Sequence, residues 1–182
     1  MRRRAIVVAA MALPVVTGMP RVHAQSDWQT VVGRDLRFRL EMPAPAKESK
    51  AAEMEKGHAS ERIAWHSTRD GDMYDFDYVD YAPGWFANQD SKLMARDLGR
   101  GEAEKAFPTA KYKYVKDEPV LLQGWDGYAL DIEDPGGALI QMRTYIAKDR
   151  LYRLLATAKP NDEARATAAR FLGSLRLAQT RS

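Results

Sequence analysis

Short runs of alternating apolar and polar residues, separated by tight turns, fill much of the chain and restrict it to folds built on a sheet. Arg62–Thr68 and Met73–Tyr81 are two such runs, and the four residues Arg69-Asp70-Gly71-Asp72 join them. An Asp-Gly pair between strand-like runs is typical of a β-hairpin with a two-residue turn. Strands joined by hairpins run antiparallel, so the pattern predicts a largely antiparallel sheet.

The second half of the chain continues the same pattern. Turn-forming sequences occur at residues 124–127, 134–137 and 148–150, each between two apolar runs. Together with a clean alternation at Leu36–Leu40, they predict a sheet of about six to seven strands. The four strands predicted in this half are Lys111–Leu122, Gly127–Glu133, Ala138–Ala147 and Leu151–Ala158.

Two segments have helical spacing. From Trp85 to about Leu98 the apolar residues recur at helical intervals. Asn161 is a candidate N-cap for a final helix that ends at Gly173. Candidate start residues for the first helix are Asn88 and Asp90, and Gly99 and Gly101 are expected to follow its end.

The remaining segments complete a prediction of the α+β class, with helices flanking the sheet. Glu48–Gly57 is charged and alanine-rich, which indicates a solvated loop or a short exposed helix. Ser174–Leu177 is short and is expected to add at most an edge strand. Residues 25–182 have the length of one ordinary domain, so we expect a single domain after the leader described next.

The first 24 residues have the layout of a secretory signal peptide. Three arginines at positions 2–4 precede the apolar run Ala5–Val16, which is too short to cross a bilayer because a spanning helix needs about 20 residues. Val22 and Ala24 place small residues where a signal peptidase requires them, so cleavage is predicted after Ala24. The expected location is therefore periplasmic or secreted. An uncleaved membrane anchor is the alternative.

Removal of the leader changes the charge of the protein. Residues 1–24 hold four arginines and no acid, so 24 basic residues remain against 25 acidic ones and the formal charge falls from +3 to −1. This balance argues against a nucleic-acid partner. The chain has no cysteine, which excludes a lipoprotein anchor, a disulfide framework and a thiolate metal site.

Five short motifs follow one another along the chain. They are Phe38-x-Leu40-x-Met42-Pro43, Gly127-Tyr128-x-Leu130, Arg143-x-Tyr145-Ile146, Arg150-Leu151-Tyr152-x-Leu154 and Phe171-Leu172-Gly173-Ser174-Leu175. In this order they resemble the PsbP-like superfamily, as a bacterial secreted PsbP-related domain, over most of residues 30–178. The resemblance implies an α/β/α sandwich and a binding or assembly role. It transfers no functional residue, since the motifs are core positions and turns, and it does not transfer a role in photosynthesis.

An acidic cluster is the only candidate metal site in the sequence. Asp70, Asp72 and Asp75 are its candidate ligands, because carboxylate oxygens suit calcium. Their spacing does not match an EF-hand loop. The alternative is a hairpin turn followed by the solvated face of a strand, in which Asp75 and Asp77 point away from the apolar residues.

No catalytic motif is present, and we expect the protein not to be an enzyme and to need no cofactor. The chain after residue 24 retains two histidines, His58 and His66, and lacks both a His-Glu-x-x-His zinc motif and a Gly-x-Ser-x-Gly elbow. Ser60 and Ser67 lie near these histidines in sequence, but a catalytic triad forms only through the fold.

Aromatic residues are the remaining candidates for function. Trp85 and Phe86 lie where a loop enters the first predicted helix, and Trp125 lies in a glycine-flanked turn. Packing of the helix onto the sheet would explain Trp85 and Phe86 equally well, so Trp125 is the better candidate for exposure. We therefore expect an exported, non-catalytic binding or accessory protein that acts through a protein partner. The alternatives are a small-molecule or metal binder and, more distantly, a hydrolase.

Overall fold

The computed structural model describes residues 27–55, 58–107 and 112–178, so the predicted signal peptide and its cleavage site lie outside the described residues. No helix within these ranges is long and apolar enough to cross a membrane. The strands and helices are β1 (Trp28–Val32), β2 (Phe38–Pro43), β3 (Lys47–Glu55), β4 (His58–Arg69), β5 (Asp72–Asp80), α1 (Ser91–Ala106), β6 (Lys113–Leu122), β7 (Trp125–Glu133), β8 (Leu139–Ala147), β9 (Arg150–Ala158), α2 (Asp162–Gly173) and β10 (Arg176–Leu177).

Seven of the strands form one antiparallel sheet in the order β3-β4-β5-β9-β8-β7-β6. All neighbours except β5 and β9 follow one another in the chain, as hairpin connections require. In the turn between β4 and β5, Asp70 and Gly71 have φ angles of 53° and 84°. Two positive φ angles define the type I′ turn that an Asp-Gly pair favours. The predicted hairpin, the antiparallel sheet and the α+β class are all confirmed.

A second, three-stranded sheet in the order β1-β2-β10 was not predicted as a separate layer. The predicted short strand near the chain end is confirmed as β10, which pairs Leu177 with Phe38. The Gln123 side chain closes the other edge of β10, because its amide oxygen accepts from the Leu177 backbone N–H at 2.7 Å and its amide nitrogen donates to the Leu177 carbonyl at 3.1 Å.

The main core lies between the two sheets and α2. Phe38, Leu40 and Met42 alternate along β2, and all three are fully buried against the large sheet. The predicted apolar face of β5, formed by Tyr74, Phe76 and Tyr78, is buried in the same core and confirms the alternation. α2 closes this core with Ala164, Ala168, Phe171 and Leu172.

The opposite face of the large sheet is covered by α1, which packs over β7 and β8. Ala95, Gly99 and Ala103 of the helix are buried against the sheet. Small side chains at these positions allow the helix to approach closely. The protein therefore has three layers. α1 forms the first, the large sheet lies in the middle, and α2 together with the small sheet forms the third.

Asp90, one of the two candidate start residues of the first predicted helix, is confirmed as its N-cap, but the helical spacing from Trp85 suggested too early a start and the predicted end near Leu98 was wrong. α1 begins at Ser91, where Asp90 caps it by accepting from the backbone N–H groups of Lys92 and Leu93 at 2.9 and 3.1 Å. It continues through Gly99 and Gly101. A Cβ atom at Gly99 would lie 2.9 Å from the Thr144 Oγ1 atom of the sheet below, so close packing explains a glycine inside this helix.

Replacing each of the two helical glycines with alanine should have opposite effects on stability. A Cβ at Gly101 meets no atom within 4 Å, so Gly101→Ala should raise the free energy of unfolding by about 0.5–1 kcal/mol through helix propensity. Gly99→Ala should lower it by about 1–2 kcal/mol because the added methyl group displaces Thr144. Urea unfolding followed by circular dichroism measures both values. Equal effects of the two substitutions would contradict this packing.

The expectation of a loop or short helix at Glu48–Gly57 was also wrong for its described residues, which belong to β3. Among the described strands β3 pairs only with β4, at the edge of the sheet, and residues 47–52 are exposed. A charged composition is compatible with an edge strand, since charges there oppose pairing with other chains. The composition therefore indicated exposure correctly but not the backbone conformation.

Candidate binding cleft

Three connecting segments meet at one end of the large sheet. They are the β6–β7 turn at Gln123-Gly124, the β8–β9 turn at Lys148-Asp149, and residues 81–90 between β5 and α1. Gln123 and Gly124 have φ angles of 51° and 87°, so this hairpin also has a type I′ turn. β7 accordingly begins two residues earlier than predicted.

Asp149 fixes the segment that precedes α1. Its backbone carbonyl accepts from the Tyr81 N–H at 2.8 Å, and its carboxylate accepts from the Gly84 N–H at 2.8 Å. Gly84 has a φ angle of 79°, which only glycine adopts readily. The segment therefore turns back over the sheet instead of starting the helix at Trp85.

A hydrogen bond connects the start of α1 to the sheet. The Ser91 hydroxyl donates to the Asp126 carboxylate on β7. Both side chains are partly buried, so this bond holds the helix start beside the β6–β7 turn. The segment before the helix, the helix start and the two turns thus have a fixed arrangement.

These elements surround a cleft of about 410 Å³. Phe86 and Trp125, which are 39 positions apart in sequence, both line it. The cleft also carries two carboxylates and one ammonium group, which makes its formal charge −1. The full lining is Phe86, Ala87, Ser91, Gly124, Trp125, Asp126, Ile146, Lys148 and Asp149.

The three aromatic candidates have different environments. Phe86 is only 6% exposed and belongs to the core beneath α1, so it is part of the floor of the cleft and offers little surface to a ligand. Trp85 is half-buried and packs beside Tyr81, with ring centroids 5.8 Å apart, outside the cleft lining. Trp125 is half-buried and lines the cleft. Trp125 also packs against the main core, so only the part of this residue outside the core lines the cleft.

An exposed leucine extends the apolar surface beyond the cleft. Leu121 on β6 is 67% exposed and stands directly opposite Asp126 on β7. Because Asp126 lines the cleft, Leu121 lies at its border. A largely exposed leucine at the border of a cleft is an apolar feature of the kind that protein interfaces use.

The structure does not bring the three candidate metal ligands together. Asp72 is buried, and its carboxylate accepts from the Lys159 N–H at 3.1 Å. Asp75 lies on the other face of β5, because it is three residues away, and it pairs with His66 at 2.5 Å. Asp70 is exposed in the turn, where the Lys159 ammonium donates to its carbonyl. Among the described residues, no group of three or more acids and histidines could hold a metal ion.

The acidic face of β5 is only partly solvated, contrary to the prediction for Asp77. Its side chain is 17% exposed and accepts from Arg153 at 2.7 and 2.9 Å. Burial raises the pKa of Asp77, and the Arg153 charge opposes this rise. Asp77 is therefore part of an ion pair beside α1 and not of an open wet surface.

Serine and histidine are not arranged for hydrolysis in the described part of the chain. Ser67 is buried on the core face of β4, whereas His66 points to the other face. Ser60 is six residues from His66 along the same strand, which corresponds to about 20 Å. His66 and Asp75 thus form a pair without either of the serines suggested by the sequence.

Comparisons with known proteins support the fold only. No protein-family model matches the chain, and no curated protein sequence matches it. The solution structure of cyanobacterial PsbP (CyanoP) from Synechocystis sp. PCC 6803 is similar, with a TM-score of 0.56 and 7% identity, over 89% of this chain and 99% of that one. At this identity the similarity confirms the predicted PsbP-like fold, and membership of the family stays a prediction.

Two further solved structures are less similar. One is a protein from Bacteroides thetaiotaomicron VPI-5482, with a TM-score of 0.42, 10% identity, and coverage of 82% of this chain and 48% of that one. The other is a protein of unknown function from Pseudomonas aeruginosa, with a TM-score of 0.36, 14% identity, and coverage of 78% and 90%. These values are too low to support an argument about this chain.

Sequence reasoning missed most of the cleft. Ser91, Asp126, Lys148 and Asp149 are common polar residues, and nothing in their local sequence marks them as neighbours. The turn prediction at residues 148–150 was a usable signal, because hairpins in a meander place alternate turns at the same end of the sheet. To bring residues 81–90 to the same end, that reasoning also requires the pairing of β5 with β9, which the sequence did not reveal.

Proposed function

We propose that this chain is a non-catalytic accessory protein that binds a partner protein at the cleft beside Trp125. The observation that carries the proposal is the cleft itself, which Trp125 lines and which the exposed Leu121 borders from its position opposite Asp126. Tryptophan is the residue most enriched among the energetically dominant positions of protein interfaces. The PsbP-like fold is compatible with this role but does not determine it.

The chemistry of the cleft indicates which partner segment fits. An apolar side chain would pack on the part of Trp125 that lines the cleft. A lysine or arginine beside it would meet Asp126 and Asp149, the two carboxylates of the cleft. We therefore propose a partner segment that combines an apolar anchor with one basic residue. Export by the predicted signal peptide would place this interaction in the periplasm or outside the cell.

Site-specific photocrosslinking tests the proposal in intact cells of the native host. A photoreactive residue at position 121 should give a discrete crosslinked product with one partner protein. Position 36 is the matched control, because Leu36 is 72% exposed, like Leu121, but lies in the β1–β2 turn. A product that appears equally at positions 36 and 121, or at neither, would contradict docking at the cleft.

A small-molecule ligand is the second candidate, since a cleft of about 410 Å³ lies within the usual range of ligand pockets. A compound that binds the native state raises the melting temperature in proportion to its concentration and affinity. A saturable rise that is lost in Trp125→Ala, combined with no crosslinked partner, would favour this candidate over a protein partner.

A further inference from the structure

A second concave surface, the arginine groove, lies between the outer face of the small sheet and the end of α2. Its volume is about 420 Å³, and three arginines line it: Arg39 on β2, Arg170 on α2 and Arg176 on β10. Glu41 is the only acid among the described residues that line it, so these residues carry a formal charge of +2. The chain after residue 24 has a formal charge of −1, so this cationic groove is a local concentration of charge.

Two of the arginines face each other without an acid between them. Arg39 and Arg176 are direct cross-strand partners in the antiparallel pair β2–β10, and both are exposed. Like charges in this arrangement repel and destabilise the pair of strands. Within residues 27–55, 58–107 and 112–178, neither guanidinium forms an ion pair with a carboxylate. The fold therefore holds two adjacent positive charges that an anion would stabilise.

The third arginine is already neutralised. The Arg170 guanidinium donates to the Glu41 carboxylate at 2.9 Å and lies over the Trp28 ring, 4.0 Å from its centroid. Glu41 is thereby occupied and cannot offset Arg39 or Arg176. The stacking on Trp28 fixes Arg170 as one wall of the groove.

The end of α2 does not prevent an anion from binding. The last carbonyls of a helix carry partial negative charge, which would repel an anion. Here the Arg176 guanidinium donates to the Gly173 carbonyl at 2.8 Å, and the Ser174 hydroxyl donates to the Phe171 carbonyl at 2.7 Å. These bonds reduce the repulsion, and they anchor Arg176 with its remaining N–H groups available.

We propose that the arginine groove binds a phosphate monoester group through Arg39 and Arg176, with Arg170 as a wall. Guanidinium groups match the geometry of phosphate oxygens and bind them in pairs of parallel hydrogen bonds. A phosphate monoester carries about 1.5 to 2 negative charges at pH 7, which matches the charge of +2 in the groove. This site is separate from the cleft, and it does not depend on the function proposed above.

Isothermal titration calorimetry with glycerol phosphate at constant ionic strength tests the proposal. The purified protein should bind saturably, and the double substitution Arg39→Gln with Arg176→Gln should weaken binding at least tenfold. Arg165→Gln is the matched control, because Arg165 is an exposed arginine of α2 outside the groove, and it should bind like the unsubstituted protein. Without ligand, circular dichroism of the double variant should show the native fold, since both arginines are exposed and their replacement leaves the core unchanged.

A flotation assay with phosphatidic-acid vesicles distinguishes the source of the phosphate. If the ligand is a soluble ester, glycerol phosphate should bind at least as tightly as the vesicles. If the ligand is a lipid headgroup, the vesicles should bind more tightly, and the double variant should lose that binding. Absence of binding to both probes, or equal binding by the double variant, would overturn the proposal.

Discussion

Replacing Phe38 with alanine should lower the free energy of unfolding by about 3–5 kcal/mol, the usual range for a buried phenylalanine. Phe38 is 2% exposed and contributes the central ring of the small sheet to the main core. Removal would leave a cavity between two sheets that cannot close without moving a whole layer. The Phe38 ring contacts four aromatic rings, those of Trp65, Phe76, Tyr78 and Tyr152, with centroid distances of 5.7, 4.8, 5.5 and 6.0 Å.

Guanidinium unfolding monitored by circular dichroism measures this loss. Leu36→Ala, two residues away, is the control, because Leu36 is 72% exposed and its loss should change stability by no more than about 0.5 kcal/mol. A loss below about 1 kcal/mol for Phe38→Ala would show that the two sheets do not pack through this ring.

Arg150→Met should lower the free energy of unfolding by about 2–3 kcal/mol, which is large for a charged residue. Arg150 is 3% exposed and donates to Asp80 at 2.6 and 2.7 Å and to Asp35 at 2.7 Å. Its guanidinium also lies 4.0 Å from the centroid of the Tyr78 ring. Arg150 thus connects the β1–β2 turn to the large sheet. Methionine keeps most of the apolar stem but none of these bonds.

The expected loss of unfolding free energy is smaller than the loss that follows removal of one partner of a fully buried ion pair, because the carboxylates are accessible to water. The side chains of Asp35 and Asp80 are 36% and 51% exposed, so both can be rehydrated after the substitution. Arg34→Met is the control, since its pair with Glu48 is on the surface and should contribute at most about 1 kcal/mol. Equal losses for the two substitutions would contradict a special role for Arg150.

The pH dependence of the same variant provides a second test. Burial raises the pKa of Asp35, but the hydrogen bond from Arg150 and the nearby charges outweigh it, so the pKa is lowered. A lowered pKa contributes stability above the unfolded value of about 3.9, and this stability is lost as the pH falls through the folded value. The difference in the free energy of unfolding between wild type and Arg150→Met should therefore become smaller below about pH 4.

Features determined by local sequence were predicted well. The Asp70-Gly71 turn and the alternation in β5 depend on residues that are adjacent in the chain, so their signals are visible without the fold. The cap at Asn161 is of the same kind, since its side chain accepts from the Ala164 N–H at 2.8 Å. These signals were sufficient for the α+β class and for most strands of the large sheet.

Features determined by tertiary contacts were missed. Gly99 indicates a helix end by propensity, but contact with Thr144 requires a glycine inside α1. The small sheet joins β2 to β10 over more than 130 residues, so the short strand near the chain end was predicted but its pairing with β2 was not. The arginine groove was missed for the same reason, because Arg39 and Arg176 become neighbours only through the pairing of β2 with β10.

The candidate cleft was predicted in part. Phe86 and Trp125 were singled out separately, and the fold brings them into one lining. Asp149 was not singled out, although its two hydrogen bonds to residues 81 and 84 position the segment that carries Phe86. Aromatic residues are few and conspicuous in a sequence, whereas an aspartate in a hairpin turn is ordinary.

The affinity of the crosslinked partner for two variants tests the central claim most directly. Leu121→Ser and Leu36→Ser remove equally exposed leucines from the cleft border and from the β1–β2 turn, so neither should alter the core. Docking at the cleft predicts that Leu121→Ser raises the dissociation constant at least fivefold, as removal of more than about 1 kcal/mol requires, while Leu36→Ser leaves it unchanged. If both variants bind the partner like the unsubstituted protein, or if Leu36→Ser alone weakens binding, the cleft is not the docking surface.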